Sequence, residues 1–511
     1  MNHLQPRLGK AHRLEPGKPP VVRTMRRGEE EDHAQPVLSL TPQGDKEKEA
    51  HGARPQMTAF CRQLGVGLAR AARLRHTLPA MLDLARAFSR VRFGETAPRD
   101  EPHRDAFQRD QDRITYARPF RRLQAKTQVH PLPHDSHVRN RLVHTLEVAS
   151  VGRSLGVLAA GRIEHLLEPA GITPQEVGAV VRAACMVHDI GNPTFGHAGE
   201  EAIAAALARL IPEHRVNDAP ADLAHFDGNA QGFRIVTKID MHRMDRGLRL
   251  TYATLGAMLK YPWGALDERS RRGTKFCVFA TEAQAFADVV RHLYGLDDPA
   301  LAPRHPATWL MEAADDIAYT IADLEDAVDL GIVSAREFVE LVGPIAGRRD
   351  GSVASLRGQA IGRLIDAAAE LFAARIDEIL AGEPYRGGAL LDDLAALDAT
   401  LGEAFHAARR TNETRVYGHD RKVGFELAAD EIIDTVLDLL FPAALAFAET
   451  RDAEKLPRRY RQALAIFGDY RPDPAWPREE ILRSAIDATA GMTDPYATFI
   501  AARLRGIDVP L

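Results

Sequence analysis

The chain has 511 residues, of which 45% are hydrophobic and 27% are charged, and its formal net charge is −5. This composition is typical of a globular protein, and the length predicts more than one hydrophobic core. The small negative charge excludes a general attraction to nucleic acid, so polyanions could bind only at local patches. Three cysteines without a CxxC pair argue against a disulfide framework and favour a reducing, cytoplasmic location. The apolar stretch Val436–Ala448 is too short to span a membrane.

The first hundred residues are predicted to form an extension to the main domain. Residues 1–56 combine Pro, Gly, Lys, Arg and Glu without helical or strand periodicity, which is typical of disorder. The stretch Met57–Phe93 is rich in Leu, Ala and Arg, with Asp83 as its only acidic residue, and it predicts a basic helical segment. Such a helix either packs on the main domain, the interpretation we favour, or contacts a membrane or nucleic acid.

From about His103 onward the sequence predicts helices. Apolar residues recur at intervals of three and four positions, as in Leu142–Leu158, Val177–Val187 and Trp309–Val328. No run of alternating strands appears, and neither a dinucleotide-binding glycine motif nor a P-loop is present. The chain is therefore predicted to be all-α, with a core over residues 101–335 and an additional C-terminal helical region over residues 336–511.

An adjacent His-Asp pair ends one of these helices. His188 and Asp189 follow an apolar run and precede the helix breakers Gly191-Asn192-Pro193. Neighbouring side chains on a helix point about 100° apart, so they converge on one ligand only near a helix end. Imidazole and carboxylate both bind divalent cations. An isolated pair would instead indicate a helix C-terminus with a favourable dipole interaction.

Further candidate ligands accompany this pair. Arg141 and His144 are three residues apart at the start of one predicted helix and share a face. Asp315, Tyr319 and Asp323 share a face of another helix at i, i+4 and i+8. Two histidines and two carboxylates suit Mn, Mg, Fe, Co or Ni better than structural zinc.

A second polar pair follows the His-Asp corner. His197 and Glu200 are three residues apart in the first turn of the next predicted helix. A carboxylate that holds an imidazole fixes its tautomer and allows it to act as a general acid or base near neutral pH. Without the nearby His-Asp pair, Glu200 would more simply complement the helix dipole.

These residues resemble the H…HD…D signature of the HD phosphohydrolases, with His144, His188-Asp189 and Asp315 in its positions. Within that superfamily the chain is most similar to the bacterial deoxyguanosine triphosphate triphosphohydrolases (dGTPases), over residues of about 103 to 500. The stretches that carry the resemblance are Arg121–Val129, Arg141–Val148, His188–Glu200, His225–Gly232, Leu259–Tyr261, Trp309–Ile317 and Ala490–Asp494. One departure is Thr194, which stands where the family usually has a second proline.

The resemblance implies an HD-domain helical core and a role for each matching residue. Metal ligation would fall to His144, His188, Asp189 and Asp315. His197, oriented by Glu200, would transfer the proton of the attacking water or of the leaving 5′-oxygen. The triphosphate would contact Arg141, Lys260 and Tyr319, and the sugar 3′-hydroxyl would bind Gln128 and Asp323.

The resemblance also implies a cofactor and partners. The cofactor would be a divalent metal ion, Mn or Mg first, with Fe, Co or Ni as substitutes. The substrate would be a dNTP, with dGTP favoured, and the chain would form a homo-oligomer with single-stranded DNA or a nucleotide as effector. Two alternatives stay open at this point. One is an HD hydrolase acting on a monophosphate, a cyclic dinucleotide or an alarmone, and the other is a non-catalytic nucleotide or nucleic-acid sensor.

Overall fold

Helices provide the regular secondary structure of this protein. The computed structural model describes residues 82–99, 101, 103–129, 137–273, 275–382 and 388–507, and within these ranges β-pairing is limited to isolated bridges. The predicted all-α fold class is therefore confirmed. The predicted disordered segment and most of the basic segment Met57–Phe93 lie outside the described residues. No helix in the described ranges is both long and apolar enough to cross a bilayer.

The helices are joined by connections of varied length. The first half of the chain contains α1 (Leu84–Ala87), α2 (Ala106–Tyr116), α3 (Arg118–Arg122), α4 (Arg141–Arg162), α5 (Glu164–Leu167), α6 (Pro174–Val187), α7 (Gly196–Glu213), α8 (Gly228–Arg234), α9 (Tyr252–Met258) and α10 (Glu268–Gly273). The second half contains α11 (Ala283–Tyr294), α12 (Pro306–Asp329), α13 (Ala335–Ala346), α14 (Val353–Ala374), α15 (Ile376–Leu380), α16 (Leu394–Leu397), α17 (Ala399–Thr411), α18 (Asp420–Thr450), α19 (Arg458–Ala463), α20 (Arg478–Ala490) and α21 (Asp494–Leu504).

The first hydrophobic core is built around α4, α6, α12 and α14. Val148, Val181 and Ile317 are fully buried in it. Helices α4 and α6 pack closely because glycines face each other, and a Cβ at Gly156 would lie 2.9 Å from the Cα of Gly178. This packing brings the start of α4 and the end of α6 close to the middle of α12.

The described part of the predicted extension packs into the same core. Leu82, Phe88 and Phe93 are buried. Arg92 is 1% exposed, and its Nη1 donates to Oδ1 of Asp110 on α2 over 2.6 Å. Residues 82–93 thus contribute apolar contacts and a buried ion pair to the main domain.

The second hydrophobic core combines segments that are far apart in the chain. Ile203 and Leu207 of α7 pack with residues of α18, α20 and α21, among them Leu440 and Ile486. Residues between 195 and 279 therefore share a core with residues between 429 and 501. The chain passes from the first core to the second at α7, returns to the first over residues 233–259 and again from α11 to α17, and ends in the second.

A buried arginine connects α8 to α20. Arg234 is 2% exposed, and its guanidinium donates to Asp487 and Glu480 of α20 and to Glu282 in the turn before α11. Paired charges of this kind offset part of their desolvation penalty, but removal of one partner leaves the others uncompensated in the interior.

Candidate active site

Four potential metal ligands come together from the start of α4, the end of α6 and the middle of α12. Asn140 caps α4 through a hydrogen bond from the Val143 amide, and His144 follows on the first turn. The Nε2 atom of His144 lies 3.1 Å from Oδ1 of Asp315 on α12. His188 Nε2 lies 3.6 Å from both Asp189 Oδ2 and Asp315 Oδ1. Ligand atoms of His144, His188 and Asp189 all lie within 4.8 Å of one another, which is a spacing compatible with one shared cation.

Hydrogen bonds orient the His-Asp corner. His188 Nδ1 lies 2.6 Å from the Cys185 carbonyl, which can only accept, so Nδ1 carries the proton and Nε2 keeps a lone pair. Asp189 accepts from Asn192 Nδ2 with Oδ1 and from Arg141 Nη1 with Oδ2, each over 2.6 Å. The corner therefore presents one imidazole nitrogen and one oriented carboxylate toward the same space.

The charges of the cluster keep its carboxylates ionised. Burial alone would raise the pKa of Asp315, but His188 and His144 lower it well below its usual value. The pKa of Asp189 is likewise lowered, because Arg141 and the two histidines outweigh the effect of burial. Anionic carboxylates beside imidazole nitrogens form a donor set suited to a divalent cation.

The first turn of α7 holds the second polar pair. His197 Nδ1 lies 2.8 Å from Glu200 Oε2, and the His197 side chain is 67% exposed. Glu200 is buried, and it also accepts from the Gly228 amide over 2.7 Å and from Lys275 Nζ over 3.0 Å. A Cβ at Gly228 would lie 2.7 Å from Glu200 Oε1 and 2.3 Å from Asn192 Oδ1, so glycine is required at this close approach.

The hydrogen bond to Glu200 raises the pKa of His197, whereas Lys275 lowers it. Glu200 itself is desolvated, which would raise its pKa, but His197 and Lys275 lower the pKa below its usual value. The pair thus consists of an anionic carboxylate and an imidazole with enhanced basicity.

One cavity of about 440 Å³ connects the His-His-Asp cluster to this pair. All of the predicted site residues line it except Asp323. The predicted residues on its wall are Gln128, Arg141, His144, His188, Asp189, His197, Glu200, Lys260, Asp315 and Tyr319.

Asp323 lies behind Tyr417. The Tyr417 hydroxyl donates to Asp323 Oδ2 over 2.6 Å, and Tyr417 itself lines the cavity beside Tyr319. Burial raises the pKa of Asp323 to about 7. In this arrangement Asp323 is connected to the cavity through the phenol.

Several cavity residues were not identified by the sequence analysis. They are Lys275 and a group near the start of α18 that comprises Tyr417, Lys422, Phe425 and Glu426. Lys422 and Glu426 form an ion pair over 3.0 Å. Their i, i+4 spacing is visible in the sequence, but nothing local indicates that α18 reaches the cavity.

A buried clamp holds the loop between the two polar pairs. Asp494 at the start of α21 accepts from Thr194 Oγ1, from the Phe195 amide and from the Thr127 amide over 2.7–3.0 Å. Lys126 Nζ donates to the carbonyls of Asn192 and Ala490. The C-terminal helices therefore fix the loop that leads from Asp189 to His197.

Comparisons with known proteins agree with this architecture. The HD domain family model matches residues 141–224. A deoxyguanosinetriphosphate triphosphohydrolase-like protein of Pseudomonas aeruginosa is 37% identical over 84% of this chain and its own full length. A protein of the same name from Synechocystis is 35% identical over 82% of this chain and 98% of its own length. The deoxyguanosinetriphosphate triphosphohydrolase of Klebsiella pneumoniae is 30% identical over 84% of this chain and its own full length.

Proposed function

Since this chain belongs to the deoxyguanosinetriphosphate triphosphohydrolase family of HD-domain proteins, we propose that it hydrolyses dGTP, or several dNTPs, to the deoxynucleoside and inorganic triphosphate. The observation that carries the proposal is the single cavity that joins a His-His-Asp cluster, a His-Glu pair and several cations. Water would attack the α-phosphorus, the bond to the 5′-oxygen would break, and that oxygen would leave with a proton.

The cluster fits a divalent metal ion. His144, His188, Asp189 and Asp315 would hold the ion, because they offer nitrogen and oxygen donors within a few ångströms of one another. We propose Mn or Mg as the ion, and the same donors accept Fe, Co or Ni. When bound, such an ion polarises phosphoryl oxygens and offsets their negative charge.

His197 would transfer the proton. Glu200 engages Nδ1, so Nε2 is the nitrogen left to exchange a proton with water or with the leaving oxygen. Glu200 is in turn held by the Gly228 amide and Lys275, which restrains the orientation of the imidazole. The turn at Phe195, with φ of 65°, directs α7 so that its first turn faces the cavity.

The triphosphate would be bound by the cationic wall. Arg141, Lys260 and Lys275 line the cavity, and Tyr319 adds a hydroxyl donor. Lys260 Nζ lies 3.3 Å from Glu312 Oε1, and although burial lowers its pKa, Glu312 and Tyr261 raise it above its usual value. Lys260 is therefore fully protonated and able to pair with a phosphate group.

The sugar would be bound at the opposite wall. Gln128 lines the cavity, and its Oε1 is buried without a hydrogen-bond partner among the described residues. A sugar 3′-hydroxyl would satisfy this acceptor. Asp323 would act on the same hydroxyl either through Tyr417 or after Tyr417 moves aside.

Product analysis tests the proposal. Purified protein is incubated with each of the four dNTPs in Mn and in Mg, and the phosphate products are separated by anion exchange. Free triphosphate together with deoxynucleoside supports the proposal, and the relative rates give the base preference. Release of orthophosphate or pyrophosphate instead would indicate a different HD hydrolase, and no turnover with any ion would indicate a nucleotide sensor.

Family membership also supports a proposal about assembly. We expect a homo-oligomer whose activity responds to single-stranded DNA or to a nucleotide. Light scattering after size exclusion measures the oligomer, and activity assays with each effector measure the response. A monomeric, effector-independent enzyme would contradict this second proposal but not the first.

A further inference from the structure

A second polar cavity lies on the far side of α4 from the metal-binding cluster. It measures about 550 Å³ and is bounded by α2, α4 and α6. Arg153 and His144 are nine residues apart on α4, which places their side chains about 180° apart around the helix. The cavity therefore does not belong to the catalytic site.

Two arginines on the wall of this cavity are not neutralised by the protein. The side chains of Arg153 on α4 and Arg182 on α6 form no hydrogen bond or ion pair with any other residue that the structure describes. Arg182 is partly buried, whereas Arg153 is exposed. By contrast, buried arginines such as Arg92 and Arg234 have carboxylate partners. A partly desolvated guanidinium without a counter-ion favours an anion from solution.

The rest of the wall adds hydrogen-bond donors and one carboxylate. The amide and hydroxyl side chains on the wall are Gln108, Gln111, Gln175, Ser150 and Ser154. Of these, Gln111 Nε2 already donates to the Ala179 carbonyl and Ser154 Oγ to the Ser150 carbonyl, so the donors offered to an anion are mainly those of Gln108, Gln175 and Ser150. The carboxylate is Asp105, whose Oδ1 caps α2 by accepting from the amides of Phe107 and Gln108. The formal charge of the wall is thus positive, with two guanidiniums against one capping carboxylate.

We propose that this cavity is a second anion-binding site, and that it takes a phosphate-bearing small molecule. Guanidinium groups bind phosphate oxygens in pairs of parallel hydrogen bonds, and the amide and hydroxyl side chains complete the coordination of further oxygens. The volume of about 550 Å³ accommodates a small phosphate compound such as pyrophosphate. The proposal does not depend on the proposed enzymatic activity.

Calorimetric titration with inorganic pyrophosphate, in metal-free buffer, tests the site in the full-length protein. Wild type is expected to bind two pyrophosphates per chain, one in the catalytic cavity and one between α4 and α6. The double variant Arg153→Gln/Arg182→Gln is expected to bind only one, because loss of two charge-assisted contacts weakens the second site by about tenfold or more. Arg162→Gln is the matched control, since Arg162 is exposed on the same helix but does not line the cavity.

The outcomes separate the alternatives. One lost site in the double variant, with two sites retained in Arg162→Gln, supports the proposal. Equal numbers of sites in wild type and in the double variant, or equal losses in all variants, overturn it. Unchanged circular dichroism and unchanged kcat for dGTP in the double variant verify that the fold and the catalytic cavity are intact.

Discussion

At His197 two neighbouring charges act on one imidazole in opposite directions. Glu200 accepts its Nδ1 hydrogen bond and raises the pKa, whereas Lys275, bound to the same carboxylate, lowers it. The protonated fraction of His197 near neutral pH therefore depends on both residues. Because the effects differ in sign, substitutions of the two neighbours can be compared with each other.

We predict opposite shifts in the pH profile of kcat/KM. Glu200→Gln removes the anion, so His197 titrates at lower pH and the limb that it controls moves to lower pH. Lys275→Met removes the cation, so the same limb moves to higher pH. Steady-state rates between about pH 5 and 9 measure both shifts, and Glu213→Gln, whose side chain is 57% exposed at the far end of α7, serves as the control. Shifts in the same direction would contradict the assignment of this limb to His197.

Removal of the imidazole itself has a larger effect. His197→Ala should lower kcat by roughly 10²–10⁴-fold, because a positioned acid–base group contributes that much to the rate.

A second prediction concerns the metal ligands. Asp189→Ala removes one oxygen donor and leaves Arg141 without its partner, so both the local charge and the ligand number become unfavourable for a cation. We expect less than stoichiometric metal after dialysis and no turnover, with metal content measured by mass spectrometry. Asp329→Ala, at the exposed end of α12, is the control and should keep both the bound metal and the turnover. Full metal content in Asp189→Ala would contradict the ligand assignment.

The site residues differ in how far the sequence could predict their positions relative to one another. His188, Asp189, His197 and Glu200 form local patterns, because adjacency and i, i+3 spacing already define their relative positions. Tyr417 has no such pattern, since it reaches Asp323 only through the packing of distant helices. The Tyr417 hydroxyl donates a hydrogen bond to the Asp323 carboxylate. The family resemblance gives this carboxylate the role of binding the sugar 3′-hydroxyl.

At the scale of elements, the loop 190–195 is positioned by helices from the other end of the chain. Asp494 accepts three hydrogen bonds from residues 127, 194 and 195, and it is 4% exposed. Thr194 replaces the second proline expected from the family resemblance, and its hydroxyl is one of the three donors. The proline would restrict the backbone, whereas the threonine connects the loop to α21.

We predict that Asp494→Ala lowers both stability and rate. Three donors lose their buried acceptor, so the free energy of unfolding should fall by about 2–4 kcal/mol. Displacement of His197 should lower kcat by up to about 100-fold. Urea denaturation and steady-state kinetics measure the two effects. Asp473→Ala removes an exposed acceptor from Ala475 and should change stability by less than about 0.5 kcal/mol. Wild-type kcat in Asp494→Ala would contradict a positioning role.

At the scale of the whole molecule, helical periodicity predicted the fold class but not how the helices are distributed between two cores. Each amphipathic helix indicates that one of its faces is buried, and nothing in the 3.6-residue repeat identifies the partner. The sequence therefore suggested consecutive regions, 101–335 and 336–511. In the structure, residues of the first region, including α7, share a core with α18 and α20.

Arg234 allows the junction between these cores to be tested. Arg234→Leu removes the cation that Asp487, Glu480 and Glu282 share and leaves Glu480 and Glu282 with Lys238 alone. We therefore expect a loss of about 3–5 kcal/mol in the free energy of unfolding, because the remaining carboxylates are buried. Urea denaturation measures the loss. Arg336→Leu, whose side chain is 89% exposed, removes a surface pair and should cost less than about 0.5 kcal/mol. Equal effects of the two substitutions would show that the buried network does not stabilise the junction.

The interleaved cores have a consequence for biosynthesis. The apolar face of α7 emerges from the ribosome long before α18, α20 and α21, which cover it in the finished protein. A growing chain must therefore keep this face from aggregating until translation is nearly complete. Premature termination before Asp494 would also release a polypeptide without the carboxylate that fixes the loop 190–195, so partial products of this gene are expected to lack the proposed activity.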